Sequence, residues 1–271
     1  MCANKIHSWS QAKTTELEKI EGVCFDIDET FSTKGKITSQ AYMALWKLRH
    51  AGFKLVPLTG RCAGWCDHIA RFWPVDGVIG ENGAFAFFMK EGARKRFDML
   101  GDGASEAKKK LLLLTEKIKK EFPQARWSSD QSYREYDLSV DVFEDVKPWT
   151  NQDIVMLMDL CEREGAHVKL SSVHVNIWYG DFDKFSGFKT WLSTEGASLR
   201  LPSLEKWIFI GDSPNDEPLF KSFGSSVAVA NIAPFLENIV HPPKWVTDHQ
   251  SGSGFVEFAE KLVQVRHPSG I

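Results

Sequence analysis

The chain lacks an excess of positive charge: its 33 Lys and Arg are outweighed by 36 Asp and Glu, for a formal net charge of -3. No overall basic field therefore recruits nucleic acid or an anionic membrane surface, and any anionic ligand has to be held locally. No purely apolar run approaches the ~20 residues that a bilayer-spanning helix needs. Met1 to Ser10 contains Lys5 and Trp9 but no apolar h-region, so a secretory signal is not expected and a cytoplasmic location is. Cysteine is scarce and odd in number, five residues at Cys2, Cys24, Cys62, Cys66 and Cys161, which fits reduced thiols better than a disulfide framework. Cys62 and Cys66 are four apart, but without further Cys or His partners at zinc spacing they read as structural. There is no internal repeat and no low-complexity segment.

What is present is an ordinary globular composition. The 271 residues are 43% hydrophobic and 25% charged, enough for one large core and a second, smaller unit. The stretch Glu21 to Thr30 stands out, because Val23, Phe25 and Ile27 form a short apolar run that suits a buried parallel strand. Asp26 and Asp28 follow at a period of two and project together from its carboxyl end, where open α/β sheets bind their ligands. Thr38 to Gly52 reads as a helix, with Thr38 able to cap its start and Gly52 to supply the left-handed residue past its end. A second strand, Phe53 to Leu58, ends in Thr59-Gly60-Arg61. Strand, helix and strand with short connections make a βαβ unit, so Thr59 is expected on the same sheet edge as Asp26. A helix through His68 to Phe72, a strand Gly77 to Gly80 and the turn Glu81-Asn82-Gly83 follow.

After Ala84 the texture changes. The apolar stretch Phe85 to Met89 leads into a Gly- and Lys/Arg-rich loop, then a helix Ser105 to Phe122 and a strand Tyr133 to Phe143. A helix Asp153 to Glu164 and strands Ala166 to Leu170 and His174 to Tyr179 complete a segment expected to be an α+β insert. From Asp183 the βα rhythm returns, with helix Lys184 to Ser193, strand Trp207 to Gly211, helix Pro214 to Ser222, strand Ser225 to Val229 and a last helix Phe255 to Val263. The expected architecture is a Rossmann-like, doubly wound parallel α/β core of residues 1–84 and 181–271, with residues 85–180 inserted.

The strand Trp207 to Gly211 delivers Asp212, and Asp216 follows four residues later. Asp26, Asp28, Thr59, Lys184, Asp212 and Asp216 are then expected to converge on one sheet edge. Carboxylates gathered there repel one another unless a cation neutralises them, and an all-oxygen acidic site favours Mg²⁺.

With these residues in place the chain resembles the haloacid dehalogenase superfamily. Asp26-Ile27-Asp28-Glu29-Thr30 looks like its first motif, Thr59 its second, Lys184 its third and Gly211-Asp212-Ser213-Pro214-Asn215-Asp216 its fourth. The insert, with Asn82-Gly83 before it, is similar to the C2-type cap of subfamily IIB, which contains Cof-type enzymes and sucrose-phosphate phosphatases. One departure is Glu29, where the family most often has Gly. The resemblance implies that Asp26 is a nucleophile forming an aspartyl phosphate and that Asp28 is the acid and then the base. It further implies that Asp26, the Asp28 carbonyl and Asp212, with Asn215 and Asp216, hold Mg²⁺. Thr59 and Lys184 are implied to bind phosphoryl oxygens, as positioned charge does in phosphoryl transfer.

Gly60, Arg61 and Asn82 lie just past strand ends and are candidate substrate contacts. In the insert, Ser172, His174, Asn176 and Trp178 alternate along one strand, as the roof of the site or as the wet face of a sheet; Arg134 carries the same ambiguity. The expected function is a Mg²⁺-dependent phosphatase acting on a small phosphate monoester, a phosphosugar foremost. The expected partner is that small molecule, with no nucleic acid and no membrane, in a monomer or homodimer. The rival readings are a phosphosugar mutase using the same aspartyl phosphate and a non-catalytic binding protein of the same fold.

Overall fold

A computed structural model describes residues 6–267 other than 172; Ser172 and Cys2 thus lie outside the described residues. The strands in chain order are β1 His7–Ser8, β2 Gly22–Phe25, β3 Lys54–Pro57, β4 Val78–Gly80, β5 Phe85–Lys90, β6 Ala93–Asp98 and β7 Arg126–Trp127. They continue as β8 Asp137–Asp141, β9 His167–Leu170, β10 His174–Trp178, β11 Trp207–Gly211, β12 Ser226–Ala228 and β13 Trp245–Val246. The helices are α1 Thr14–Leu17, α2 Ser39–His50, α3 Ala63–Phe72, α4 Ala104–Glu121, α5 Asn151–Arg163, α6 Lys184–Glu195, α7 Glu217–Ser222 and α8 Ser251–Arg266. None of them is long and apolar enough to cross a membrane.

Six strands form one sheet in the order β1-β13-β12-β11-β2-β3, and every pairing in it is parallel. Such a sheet needs apolar cover on both faces, and the side-chain alternation provides it. Val23, Phe25, Leu55, Ile208 and Ile210 point into one core with Phe255 and Phe258 of α8 and Leu45 and Leu48 of α2. Cys24, Val56, Trp207 and Phe209 point into the other, with Phe188 and Trp191 of α6. The chain leaves β2 towards β3 on one side, and β11 later joins β2 on the other side. β2 is therefore the switch point of the sheet, where a crevice opens at the strand ends. The expected helix caps are in place: Thr38 accepts a hydrogen bond from Ala41 N and Gly52 has φ 86°. The parallel, doubly wound α/β class expected from the sequence is borne out.

The insert holds an antiparallel sheet in the order β7-β8-β10-β9. One face packs on α4 and α5 through Val140, Val175 and Ile177 against Leu114, Ile118, Ile154 and Leu157. The other face carries Ser139, His174 and Asn176, all buried. Phe85–Lys90 pairs antiparallel with Val78–Gly80, and Ala93–Asp98, expected as loop from its Lys and Arg content, pairs with it in turn. A boundary at Ala84 thus separates strands that share a sheet. The physical reason is that Ala86 and Phe88 belong to the core beneath α6, which tethers the hairpin there whatever the charge on its outer strand.

Candidate active site

The register of β2 against β11 brings the first and fourth motifs to the same height. Phe25 is paired with Ile210, and Asp26 N donates to Ile210 O at 2.9 Å, so Asp26 and Asp212 leave adjacent strand ends side by side. Carboxylate oxygens of Asp26, Asp212 and Asp216 all lie within 4.8 Å of one another, and all three residues are buried. Lys184 sits among them, its Nζ 2.6 Å from Asp26 Oδ1 and 3.0 Å from Asp216 Oδ1.

Placing this lysine is unfavourable on its own. It is the first residue of α6, where the helix dipole repels a cation, and it is buried. Burial works against the ammonium, but Asp216 and Asp26 outweigh it and hold its pKa above the ordinary value. Asp183 caps the helix by accepting from Ser186 N at 2.7 Å. A glycine two residues before the hairpin admits the helix: Gly83 has φ +113°, and a Cβ there would lie 2.0 Å from Asp183 O. On the helix side, a Cβ at Gly187 would lie 2.4 Å from Gly83 O. The Asn82-Gly83 turn therefore exists in part to let Lys184 reach the acids.

One lysine does not balance three carboxylates. Burial, with the charges of Asp216 and Asp28 adding to it, pushes Asp26 up to about 7 against the pull of Lys184, and burial beside Asp26 and Asp216 raises Asp212 well above the carboxylate range. Such an all-oxygen, charge-deficient set fits a hard divalent cation. Asp212 is oriented by Thr30 Oγ1 at 3.1 Å, Ser213 Oγ at 3.3 Å and Asn231 Nδ2 at 3.3 Å. Asn215 accepts from Ser213 Oγ at 2.6 Å and lines the cleft with Asp26, Asp28, Gly60, Arg61, Asn82, Lys184 and Asp212.

Asp28 is held by Arg61, whose Nη2 lies 2.8 Å from Oδ1 and whose Nε lies 3.0 Å from Oδ2. Arg61 also reaches the insert, with Nη2 3.2 Å from Glu144 Oε1. Glu144 Oε2 in turn lies 2.9 Å from His174 Nε2, so that Glu144 links Arg61 to the insert's polar strand. His174 and then Arg61 hold the Glu144 carboxyl down to about 2. Asn82, with φ 56°, is also buried in the cleft wall with its Nδ2 unpartnered. Asn82 Nδ2 thus leaves one buried donor in the cleft wall unused within the chain.

The sequence-expected residues do not all behave alike. Gly60, Arg61, Asn82, His174 and Asn176 line the cleft together, so the polar strand of the insert is its roof. Thr59 is fully buried and does not line it. Its hydroxyl accepts from Arg61 N at 3.1 Å, which holds the loop. Trp178 shares the face of His174 but turns its indole to Phe182 O at 3.2 Å and joins the core around Phe85. Arg134 is saturated by Asp130 and Asp137 and donates to Gly60 O at 2.9 Å. Glu29 has φ 57°, which explains why glycine suits this position; its carboxylate turns away to accept from Ser251 Oγ at 3.1 Å.

Three residues of the site escape the sequence pattern. Thr30 and Asn231 orient Asp212, and Asn231 Nδ2 also donates to Glu29 O at 3.1 Å. Asn231 follows the end of a parallel strand, a position that could have flagged it. Glu81 is fully buried and accepts from the amides of Ala63, Glu135 and Tyr136 at 3.0, 3.0 and 2.6 Å, pinning the insert to the core. Burial, aided by Asp137, pushes its carboxyl up to about 8 against those bonds. Nothing in a turn sequence announces that.

Residues 141–258 match the family model described as haloacid dehalogenase-like hydrolase. No curated protein matches the chain in sequence. Among solved structures, a protein of Thermoplasma acidophilum is similar at 18% identity over 90% of this chain and 98% of its own, with a TM-score of 0.68. The sucrose-phosphatase of Synechocystis sp. PCC6803, solved with sucrose and phosphate, is similar at 16% identity over 89% and 97%, TM-score 0.63. A haloalkanoate-superfamily phosphatase of Bacteroides thetaiotaomicron is similar at 20% identity over 91% and 96%, TM-score 0.60. The resemblance read from the motifs is borne out: the fold, and the signature in residues 141–258, are those of a haloacid dehalogenase-like hydrolase.

Proposed function

We propose that this haloacid dehalogenase-like hydrolase is a Mg²⁺-dependent phosphatase of small phosphate monoesters, phosphosugars foremost, acting through an aspartyl phosphate. The observation that carries the reading is the meeting of Asp26, Lys184, Asp212 and Asp216 at one strand edge, with a single buried ammonium bridging two of the acids. Asp26, Asp212 and Asp216, with Asn215 and the Asp28 carbonyl, would hold the ion. Its charge would let a carboxylate approach an anionic phosphate.

Asp26 attacks phosphorus, its carboxylate oxygen bonding to phosphorus as the ester oxygen departs. Asp28 gives its proton to that leaving oxygen, then takes one from the water that hydrolyses the acyl phosphate and regenerates Asp26. Lys184 stays charged beside the transferring group. Thr59 fixes the loop that presents Gly60 and Arg61. The Asp28–Arg61 pair has to be redistributed when substrate enters, and an incoming phosphate is a partner Arg61 can exchange for it. We take the cap as beginning after the hairpin, near residue 99, and ending near residue 180. Asn82, His174 and Asn176 then contact the leaving group from the two sides of the cleft. Phosphate release should require Mg²⁺ and should vanish in Asp26→Asn, because an amide is a poor nucleophile toward phosphorus; turnover retained in that variant would remove Asp26 from the role.

A further inference from the structure

In the polar face of the insert, β8 and β10 set Ser139 directly opposite Asn176, and cross-strand neighbours of this kind lie close enough for their side chains to interact. Ser139 Oγ donates to Asn176 Oδ1 at 3.0 Å. Both residues are buried, Ser139 completely. The backbone of Ser139 is itself held on both sides, its N–H donating to Gln131 Oε1 at 2.8 Å and its carbonyl accepting from Ser128 N at 2.8 Å. The hydroxyl therefore stands at a fixed place beside the amide.

The direction of this bond fixes the amide. A hydroxyl has one proton to donate, and among the described residues Ser139 Oγ has no other hydrogen-bond partner. Were the amide turned over, Nδ2 would donate to the hydroxyl oxygen and the serine proton would be left buried and unmatched, which is unfavourable. Asn176 thus presents Oδ1 to Ser139, and Nδ2 is the end left for the cleft that it lines. That nitrogen lies 3.3 Å from where a Cβ on Gly60 would stand, and Asn82 Oδ1 and Nδ2 lie 3.1 and 3.4 Å from the same point. Two carboxamides, one from the insert and one from the core turn, therefore flank the Cα of Gly60, and a side chain at that position would fill the gap between them.

We propose that Ser139 is a positioning residue: by holding the Asn176 amide it aims Nδ2, beside the unused Nδ2 of Asn82, at an acceptor oxygen on the leaving group. The inference rests on the phosphatase reading for its kinetic test. Lys184 and the clustered acids serve the phosphoryl group, so the amide pair acts on what is attached to it. Without the serine hydroxyl the amide is free to turn over and to put Oδ1, an acceptor, where the ligand needs a donor. A site built to hydrogen-bond an oxygen discriminates sharply, because a mismatch leaves buried polar groups unpaired.

The test pairs two kinds of ester. Phenyl phosphate has no oxygen beyond its phosphate group, whereas glycerol 3-phosphate, ribose 5-phosphate and glucose 6-phosphate carry further oxygens on the leaving group; whichever of the three wild type turns over best is taken forward. The readout is its kcat/KM relative to that of phenyl phosphate, in the full chain with Mg²⁺. Ser139→Ala should lower that ratio about fivefold, the scale of one misdirected hydrogen bond. In an Asn176→Ala background the same serine substitution should leave the ratio unchanged. A merely structural serine would slow both esters alike, so an unaltered ratio in Ser139→Ala overturns the proposal. So does a full fall in the Asn176→Ala background, where the serine would be acting by itself. If wild type turns over none of the three oxygen-bearing esters, NMR decides instead, and if it turns over no ester at all the phosphatase reading has failed separately. An NOE from the Asn176 side-chain NH₂ to the Gly60 Hα protons is expected in wild type and should weaken in Ser139→Ala. Its absence from wild type, or its full strength in the variant, overturns the proposal.

Discussion

Replacing Lys184 by Met removes the ammonium that lies 2.6 Å from Asp26 and 3.0 Å from Asp216. The carboxylates of Asp26, Asp212 and Asp216 then face one another within 4.8 Å, a repulsion of roughly 3 kcal/mol per ionised pair at an effective dielectric near 20. Breaking a buried pair of this kind costs about 3–5 kcal/mol, and protonation is the escape. Asp26 already titrates at about 7 with the lysine present, and without it the pKa rises further. A carboxyl whose folded pKa lies above its unfolded one contributes stability that is full at acid pH and is lost as pH rises through the folded value. The variant should therefore lose little stability near about pH 6 and the full about 3–5 kcal/mol near about pH 8.5, a fall in Tm of roughly 10 °C for a domain of this size. Millimolar Mg²⁺ should restore part of the loss by supplying the missing charge. The assay is thermal unfolding of both proteins at the two pH values, with EDTA or Mg²⁺. An equal loss at both pH values with no effect of the ion would refute the charge argument.

Three further outcomes follow from particular contacts. Glu29→Gly should stabilise the fold by up to about 1 kcal/mol, since relief of a left-handed residue exceeds the added chain entropy, and should leave turnover intact; a lower urea midpoint would show that the Ser251 bond matters more. Glu81→Ala strips the acceptor from the buried amides of Ala63, Glu135 and Tyr136 and should cost roughly 3 kcal/mol. Hydrogen exchange at Glu135 and Tyr136 should quicken in that variant, and unchanged protection there would count against Glu81 as the pin between insert and core. Asp28→Asn should slow alkyl phosphates far more than aryl phosphates, whose leaving groups need no proton; equal losses would remove Asp28 from the acid role.

The α/β core was legible in the residues alone, because alternating apolar strands with short helical connections have few other ways to bury both sheet faces. So was the identity of the acids that share an edge: Asp26 and Asp212 each end an apolar strand, and parallel strands end together. Lys184 was legible only through its resemblance to a motif, since a lysine opening a helix is otherwise a solvated one. Everything else waited on the folded chain, because burial and partnership are set by residues distant in the sequence. Whether His174 and Asn176 form a roof or a wet face depends on what lies beneath β10. The same strand period that aligned Trp178 with them could not say that its indole turns to Phe182 instead. Glu81 and Glu144 look like any exposed loop acids until the insert folds over the core. Only then does one lose its water to three amides and the other meet Arg61, and neither event leaves a periodic trace in the sequence.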